Sequence, residues 1–216
     1  MERITNPMEI EKKSMEIIEE KLRECGITLP EESSFVTKRV IHTTADFEFA
    51  DSLFFSVSAI EAALSAISRG ETIVTDTNMT LSGISKPGLK KTGAEAVCYM
   101  ADEAVAAAAS RLGVTRASVS VKKAAGIFLD GDIIFSVGNA PTALFEIVEV
   151  IRGGYRPSLV IAVPVGFVNV LEAKEEIEEV CGEHQIPYIV SRGNKGGSTV
   201  AAAILNAFIY RATGRV

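Results

Sequence analysis

Residues 159–190 read LVIAVPVGFVNVLEAKEEIEEVCGEHQIPYIV, and the fold class follows from them. Leu159–Val163 is a continuous apolar run, too short for a helix, which reads as a strand buried on both faces. Pro164–Asn169 is a glycine-containing loop. Val170–Cys181 then places Val170, Ile177, Val180 and Cys181 on one stripe at helical spacing, and the glutamates of 172–179 read as a solvated face. Asn169, followed three residues later by Glu172, reads as a capping box at the start of this helix. Tyr188–Val190 is a second short apolar run. Strand, helix and strand in this order make a βαβ unit, because neighbouring parallel strands need a crossover connection.

The same alternation extends back to about residue 70. Thr72–Thr75, Ala96–Tyr99 and Asp132–Val137 read as strands, with helices over Asp102–Leu112, Pro141–Arg152 and Thr199–Arg211. Pro141 suits a first helical turn and Gly153-Gly154 a stop. The prediction is an α/β fold with a five-stranded parallel sheet covered by helices on both faces. The last helix, TVAAAILNAFIY, is apolar nearly all round and must be buried; its small alanines point to a contribution to a subunit interface.

The first 70 residues differ. Met8–Glu24 reads as an amphipathic helix opened by Asn6-Pro7, with Ile10, Ile17, Ile18, Leu22 and Cys25 on one face and Ser14 inside that arc. Ser56–Ser68 reads as a second helix. Between them TKRVIHTTADFEFADSLFF settles into no single period, and residues 1–70 are taken as an extension packing on the sheet within one domain, 1–216.

Composition narrows the function classes. A net charge of −6, from 28 acids and 22 bases, speaks against a general nucleic-acid-binding face. Three cysteines, far apart and without a CxxC, suggest a reducing compartment and no zinc site. The opening stretch is acidic with no apolar signal-like region. The longest apolar run, Leu159–Leu171, is broken by Pro164 and Asn169 and falls short of the roughly 18 residues that span a bilayer. The expectation is a cytoplasmic chain with no membrane partner.

In an open parallel sheet, ligands bind beyond the carboxyl ends of the strands. The segments that follow those ends are Asp76-Thr77-Asn78, Gly138-Asn139-Ala140-Pro141-Thr142, Pro164–Phe167 and Ser191–Ser198. Three are glycine-rich and two open directly into a helix, where free backbone N–H groups attract anions; the last adds Arg192 and Lys195. No Walker A or GxGxxG pattern is present, so an anionic ligand fits better than a nucleotide. His184 falls between a helix and a strand, at the amino edge, as an exposed loop residue. His42 sits with Arg39, Thr43, Thr44 and Asp46, company that suits a general acid or base, although a lone histidine is more often structural than catalytic. Ser14 is either a tolerated interior residue bonded back to its helix or a ligand contact. Asp102 and Glu103 read as first-turn acids, and Arg116 as a solvent charge or an anion contact. Without a nucleophile motif, an acid–base isomerase or lyase fits better than a hydrolase.

Four collinear segments, RVIHTTADFEF, VGNAPTALFEI, PVGFVNVLEAKE and SRGNKGGSTVAAAILNA, resemble the precorrin-8X methylmutase family, also called cobalt-precorrin-8 methylmutases, from about Ile10 to Asn206. The HTTAD around His42 resembles the anaerobic, cobalt-inserted branch. The resemblance implies a three-layer flavodoxin-like fold and a homodimer. It implies no added cofactor; cobalt, where present, is part of the tetrapyrrole substrate. The implied reaction belongs to cobalamin biosynthesis and moves a methyl group from C-11 to C-12 of the corrinoid precursor to give cobyrinate or its cobalt form. It places the catalytic histidine on His42 and substrate contacts on Ser14, Arg39 and Arg116. With the strand-end loops, the candidate substrate set is Ser14, Arg39, Arg116, Asn139, Thr142, Arg192, Lys195 and Ser198, with no metal ligands. His42 is thereby expected beside a cavity wide enough for a tetrapyrrole. Two departures from the family pattern are Val168-Asn169-Val170, which implies a changed cap, and Asn194, where a basic residue is common. Two alternatives are a flavodoxin-like FMN electron carrier, suggested by the Thr-rich TDTNMTLSG, and a non-catalytic corrinoid-binding protein. The N-terminal extension and the absence of tryptophan speak against the flavin reading.

Overall fold

The structure is a computed structural model and describes residues 3–215. In chain order its elements are α1 (Pro7–Glu24), α2 (Ser34–Thr44), α3 (Phe49–Ser52), β1 (Leu53–Phe55), α4 (Ala59–Ser68), β2 (Thr72–Thr75), α5 (Asn78–Gly83), α6 (Lys86–Thr92), β3 (Ala96–Val97), α7 (Glu103–Leu112), α8 (Arg116–Ile127), β4 (Ile133–Val137), α9 (Pro141–Arg152), β5 (Leu159–Ala162), α10 (Val170–Glu183), β6 (Tyr188–Ser191) and α11 (Ser198–Ala212).

The strands form one sheet in the order β1-β6-β5-β4-β2-β3. All neighbours are parallel except β1, which pairs antiparallel with β6 through Leu53–Ser191, Phe54–Val190 and Phe55–Ile189. The expected five-stranded parallel sheet is therefore a six-stranded mixed one. Three residues of the supposedly irregular segment supply the extra strand, which gains its extended form from the open edge of β6. The strand order reverses between β2 and β4, which makes the carboxyl ends at that point the place where open parallel sheets bind ligands.

Alternation along each strand divides the core in two. Ile134, Leu159, Ile161 and Ile189 pack with α1, α2, α4 and α11 on one face; Ile133, Phe135, Val160, Ala162 and Val190 pack with α8, α9 and α10 on the other. Three layers result.

The segment before β1 also corrects the sequence reading. Val36, Thr37, Val40 and Ile41 are buried at helical spacing, so 34–44 forms α2 although its mean polarity hides the stripe. Residues before 70 thus supply a strand and much of one helical layer. The capping box at Asn169 does not form: the residue has φ of 60° and its side chain caps nothing, because a left-handed backbone departs from the extended geometry of a normal N-cap. By contrast Asn6 caps α1 and Asp102 caps α7, its carboxylate accepting from Ala104 N and Val105 N. Pro141 opens α9, and Gly153 ends it.

Helix α11 is buried by its own chain. Nine of its residues, Val200 to Leu205 and Ala207 to Ile209, are buried among α2, α4, α5 and α6. The close approach its alanines allow does occur, but inside the molecule: a Cβ added to Gly83 would lie 2.8 Å from Ala202 Cβ. The expected contribution to a subunit interface is not needed to explain the helix.

Candidate active site

At the switch point between β2 and β4, Asp76, the residue that follows β2, is buried. It accepts from Gly138 N at 2.9 Å, Asn139 N at 2.8 Å and Ala140 N at 2.7 Å. Burial pushes this carboxyl above the usual Asp value, while the three amides pull the other way. The amides of the β4–α9 loop, expected to bind a ligand anion, are thus filled by an internal one. Asn139 keeps an exposed side chain beside them.

The start of α11 packs against the same loops. Thr77 Oγ1 lies 2.8 Å from Ser198 Oγ and accepts from Thr80 N. A Cβ on Gly138 would lie 2.8 Å from Ser198 Cα, so only glycine lets the β4 loop touch α11 here. Ser198 is therefore at the predicted edge, with its hydroxyl engaged.

The β6–α11 loop is fastened from below. Lys174, on α10 and only 2% exposed, donates to Gly193 O at 2.7 Å and Lys195 O at 2.9 Å. Burial pushes the Lys174 ammonium down to about 8. Ser191 Oγ also donates to Lys195 O, at 2.9 Å, and Gly197 N donates to Val163 O at 2.8 Å. Asn194 turns inward and donates from Nδ2 to Gly166 O at 2.7 Å, tying this loop to the β5–α10 loop.

Above it, Lys195 Nζ reaches Asp46 Oδ2 and, at 2.8 Å, Glu48 Oε2. This bridge brings the end of α2, and with it His42, to the carboxyl edge. The Lys195 donor holds the Asp46 carboxyl below the usual range, and the two carboxylates raise the Lys195 ammonium above its ordinary value.

His42 is exposed on the last turn of α2, which Ala45 ends at φ of 55°. Its expected company looks elsewhere. Thr43 and Thr44 bond back to Arg39 O and Val40 O, Asp46 serves Lys195 and Glu48 N, and Arg39 pairs with Glu11. The described residues of the single chain do not wrap His42, which is exposed, in the expected cavity. A groove of about 520 Å³ lies instead between α1, Arg39 and Arg215. Hydroxyls short of other partners bond back to their own helix, so the ring is left open.

The remaining candidates divide. Thr142 joins Thr115, the cap of α8, at 2.8 Å, which sets Arg116 at the head of α8 beside the head of α9; Arg116 is exposed and reaches Met100 O at 3.3 Å. Arg192 turns away, pairing with Glu178 at 2.7 Å and lying 4.1 Å over the Phe54 ring, so the expected pair of loop cations does not converge. Arg39 lies over the Tyr210 ring at 5.2 Å. Ser14 is half-buried, and its Oγ donates back to its own helix at Ile10 O, at 2.8 Å. His184 is at the opposite edge, its Nδ1 3.0 Å from Arg156.

Residues 9–211 match the family model described as precorrin-8X methylmutase. The chain belongs to the precorrin-8X methylmutase family. It is 43% identical to the cobalt-precorrin-8 methylmutase of Priestia megaterium, over 93% of this chain and 86% of that protein. It is 41% identical to that of Leptospira interrogans, over 100% and 99%. A solved precorrin-8X methylmutase from Thermus thermophilus superposes with a TM-score of 0.85 at 41% identity, covering 97% of this chain and 98% of that one. Membership makes the chain a methylmutase, an isomerase. No helix among the described residues is long and apolar enough to cross a membrane.

Within this family member the sequence reading missed two residues, Asp76 and Lys174. In the sequence Asp76 is one residue of the loop after a strand, with nothing to mark its carboxylate as buried. Lys174 lies in a Glu-rich run that reads as solvated, and only the buried positions Ala173 and Ile177 beside it mark its face.

Proposed function

We propose that the chain is an isomerase of cobalamin corrin-ring biosynthesis. It moves the methyl group from C-11 to C-12 of cobalt-precorrin-8 to give cobalt-cobyrinate. His42 gives a proton to the macrocycle, the methyl group migrates, and the proton returns, so atoms are conserved. General acid catalysis of this kind supplies about 10²–10⁴-fold, and holding the ring in a reactive conformation must supply the rest. What supports the reading is the Lys195–Asp46 bridge, which ties the turn just after His42 to the β6–α11 loop, in a chain whose relatives named cobalt-precorrin-8 methylmutase share 43% and 41% identity over 86% and 99% of their length. Relatives named precorrin-8X methylmutase stand at 41% for the Thermus thermophilus protein and at 34% and 32% for two others, so identity does not choose between the substrates and the cobalt-bearing one rests on the HTTAD resemblance.

The corrinoid's carboxylate arms suit the exposed Arg116 and Asn139, the Thr142 hydroxyl at the head of α9, and the start of α11. Ser14, Arg39, Arg192 and Lys195 join them only by leaving their internal partners. The reading needs no added cofactor, and cobalt enters as substrate. A homodimer supplies the wall that His42 lacks: Met8, Ile10 and Ile17 are exposed apolar residues on α1, which packs against α2. The five parallel strands, counted alone, run 2-1-3-4-5, the flavodoxin-like order, and the domain is read as that fold with an added edge strand, working in the cytoplasm. The flavin alternative loses its main support, since the Thr77 and Thr80 hydroxyls are spent on each other and on Ser198.

The test is incubation with methyl-labelled precursor, prepared with and without cobalt, followed by NMR of the label. Appearance of the label at C-12 is expected, faster with cobalt. A label that stays at C-11 while pigment is bound would favour a corrinoid carrier.

A further inference from the structure

Both groups that the Lys174 ammonium reaches, the carbonyls of Gly193 and Lys195, are neutral. A buried ammonium is costly to desolvate, and an apolar side chain of similar volume would fill the same space without that cost. What the charge does is visible in the backbone it holds. The Lys195 carbonyl receives two donors from inside the molecule, Lys174 Nζ and Ser191 Oγ, both at 2.9 Å. With its carbonyl drawn inward, Lys195 carries its side chain to the surface, where it bridges Asp46 and Glu48. The next residue cannot absorb a shift. Gly196 has φ of 156°, and a Cβ there would lie 2.2 Å from Val163 O, so the loop is pressed against the end of β5. Asp46 stands four residues after His42, just beyond the left-handed Ala45 that ends α2.

We propose that Lys174 is a positioning residue for His42: by holding the Gly193 and Lys195 carbonyls it sets the Lys195 bridge to Asp46 and Glu48, and the bridge sets the turn that ends α2. The consequence for turnover rests on His42 being the proton donor; the coupling between Lys174 and His42 does not.

The experiment follows the ring signals of the two histidines by NMR in the unmodified chain, in Lys174→Met and in Lys174→Gln. His184, at the opposite edge of the sheet, is the internal control. The His42 signals are expected to move in Lys174→Met, and to move less in Lys174→Gln, whose amide NH₂ still serves a carbonyl; His184 stays in place. Turnover per folded molecule is expected to fall on the order of tenfold in kcat, with KM changed less than about twofold, as for a misplaced group that binds no substrate. That loss should nearly vanish when Lys174→Met is made in a Lys195→Ala background, because the route through the bridge is already cut. Unmoved His42 signals, movement of both histidines together, or additive losses overturn the proposal. If Lys174→Met does not fold, the Lys174→Gln signals decide. An unmodified chain that moves no methyl group, with His42 signals that still respond, refutes the functional reading and leaves the coupling standing.

Discussion

Lys195 and Asp46, 149 residues apart in sequence, meet at 2.5 Å across the carboxyl edge of the sheet. One belongs to the loop that leaves the last strand and the other to the turn that follows His42. The pair closes the gap between the helical layer built from the first 70 residues and the ligand edge of the sheet. It also spends the cation that a free loop would have offered to an anion. Any anionic ligand arriving there would have to compete with Asp46 and Glu48 for that ammonium, so within the chain Lys195 acts as a strut.

Replacing His42 with Ala removes the only ionisable group on the exposed last turn of α2. Turnover is expected to fall by at least about 10²-fold, the lower range for loss of a general acid. The melting temperature should stay unchanged, since the ring makes no hydrogen bond among the described residues, and pigment binding should largely survive. Turnover assays, thermal melts and equilibrium binding on one preparation separate these effects.

The Asp46 carboxyl titrates below the usual Asp value because Lys195 donates to it. A group with its folded value lowered contributes stability above its unfolded value, about 3.9, and loses it as pH falls through the folded one. The bridge should therefore persist across neutral and mildly acidic pH and break only below about pH 4. Carbon-detected NMR titration should place the Asp46 midpoint below that value in the unmodified chain and return it upward in Lys195→Ala. An unchanged midpoint in the variant would mean that the pair is not formed in solution.

Much of this was legible in the sequence. Leu159–Val163, Tyr188–Val190 and Asp132–Val137 announced buried parallel strands, because each is apolar on both faces and too short to be a helix. The strand-end rule then placed Gly138, Thr142 and Ser198 at the carboxyl edge, where the structure has them. What stayed hidden depends on partners far away in the chain. Leu53–Phe55 is a strand only because β6 has a free edge, and Asn169 fails as a cap because of its left-handed backbone. Arg39 and Arg192 carried charge that suited an anionic ligand, yet Glu11 and Glu178 take it up internally. The Asp76 carboxylate is the clearest case: a glycine-rich loop with free amides looks the same in sequence whether its anion is a ligand or a side chain 62 residues away.

Asp76→Ala strips one acceptor from three backbone N–H groups at once. Each buried donor left without a partner costs about 1–3 kcal/mol, so destabilisation of roughly 3 kcal/mol or more is expected. Urea unfolding checks this. A loss under about 1 kcal/mol would show that water or a shifted loop replaces the carboxylate.

Two glycines test the packing of the site against the packing of the surface. Gly138→Ala forces a methyl to 2.8 Å from Ser198 Cα and 2.9 Å from Ser198 N, and overpacking against backbone costs about 1–3 kcal/mol. Gly182→Ala, in an exposed stretch of α10 where an added Cβ meets nothing within 4 Å, should instead stabilise by up to about 1 kcal/mol through helix propensity. Opposite signs in paired thermal melts are the expected result, with turnover lowered only by the first.

Lys174 makes a prediction about pH that runs against the usual direction for a cation. Burial pushes its ammonium from 10.5 down to about 8, so between those values the unfolded chain binds a proton that the folded chain has released. Stability then rises with pH across that window, by an amount on the order of 3 kcal/mol for a shift of this size. Below about pH 8 the folded chain carries the full penalty of the buried charge. Lys174→Met has no such group, so it should be at least as stable as the unmodified chain at pH 7 and lose that advantage as pH climbs towards 10. The check is the difference in unfolding free energy between the two proteins at fixed ionic strength from pH 7 to 10, which cancels the titration of all other groups. A flat difference would mean that the two carbonyls fully compensate the ammonium, and that its burial costs the fold nothing.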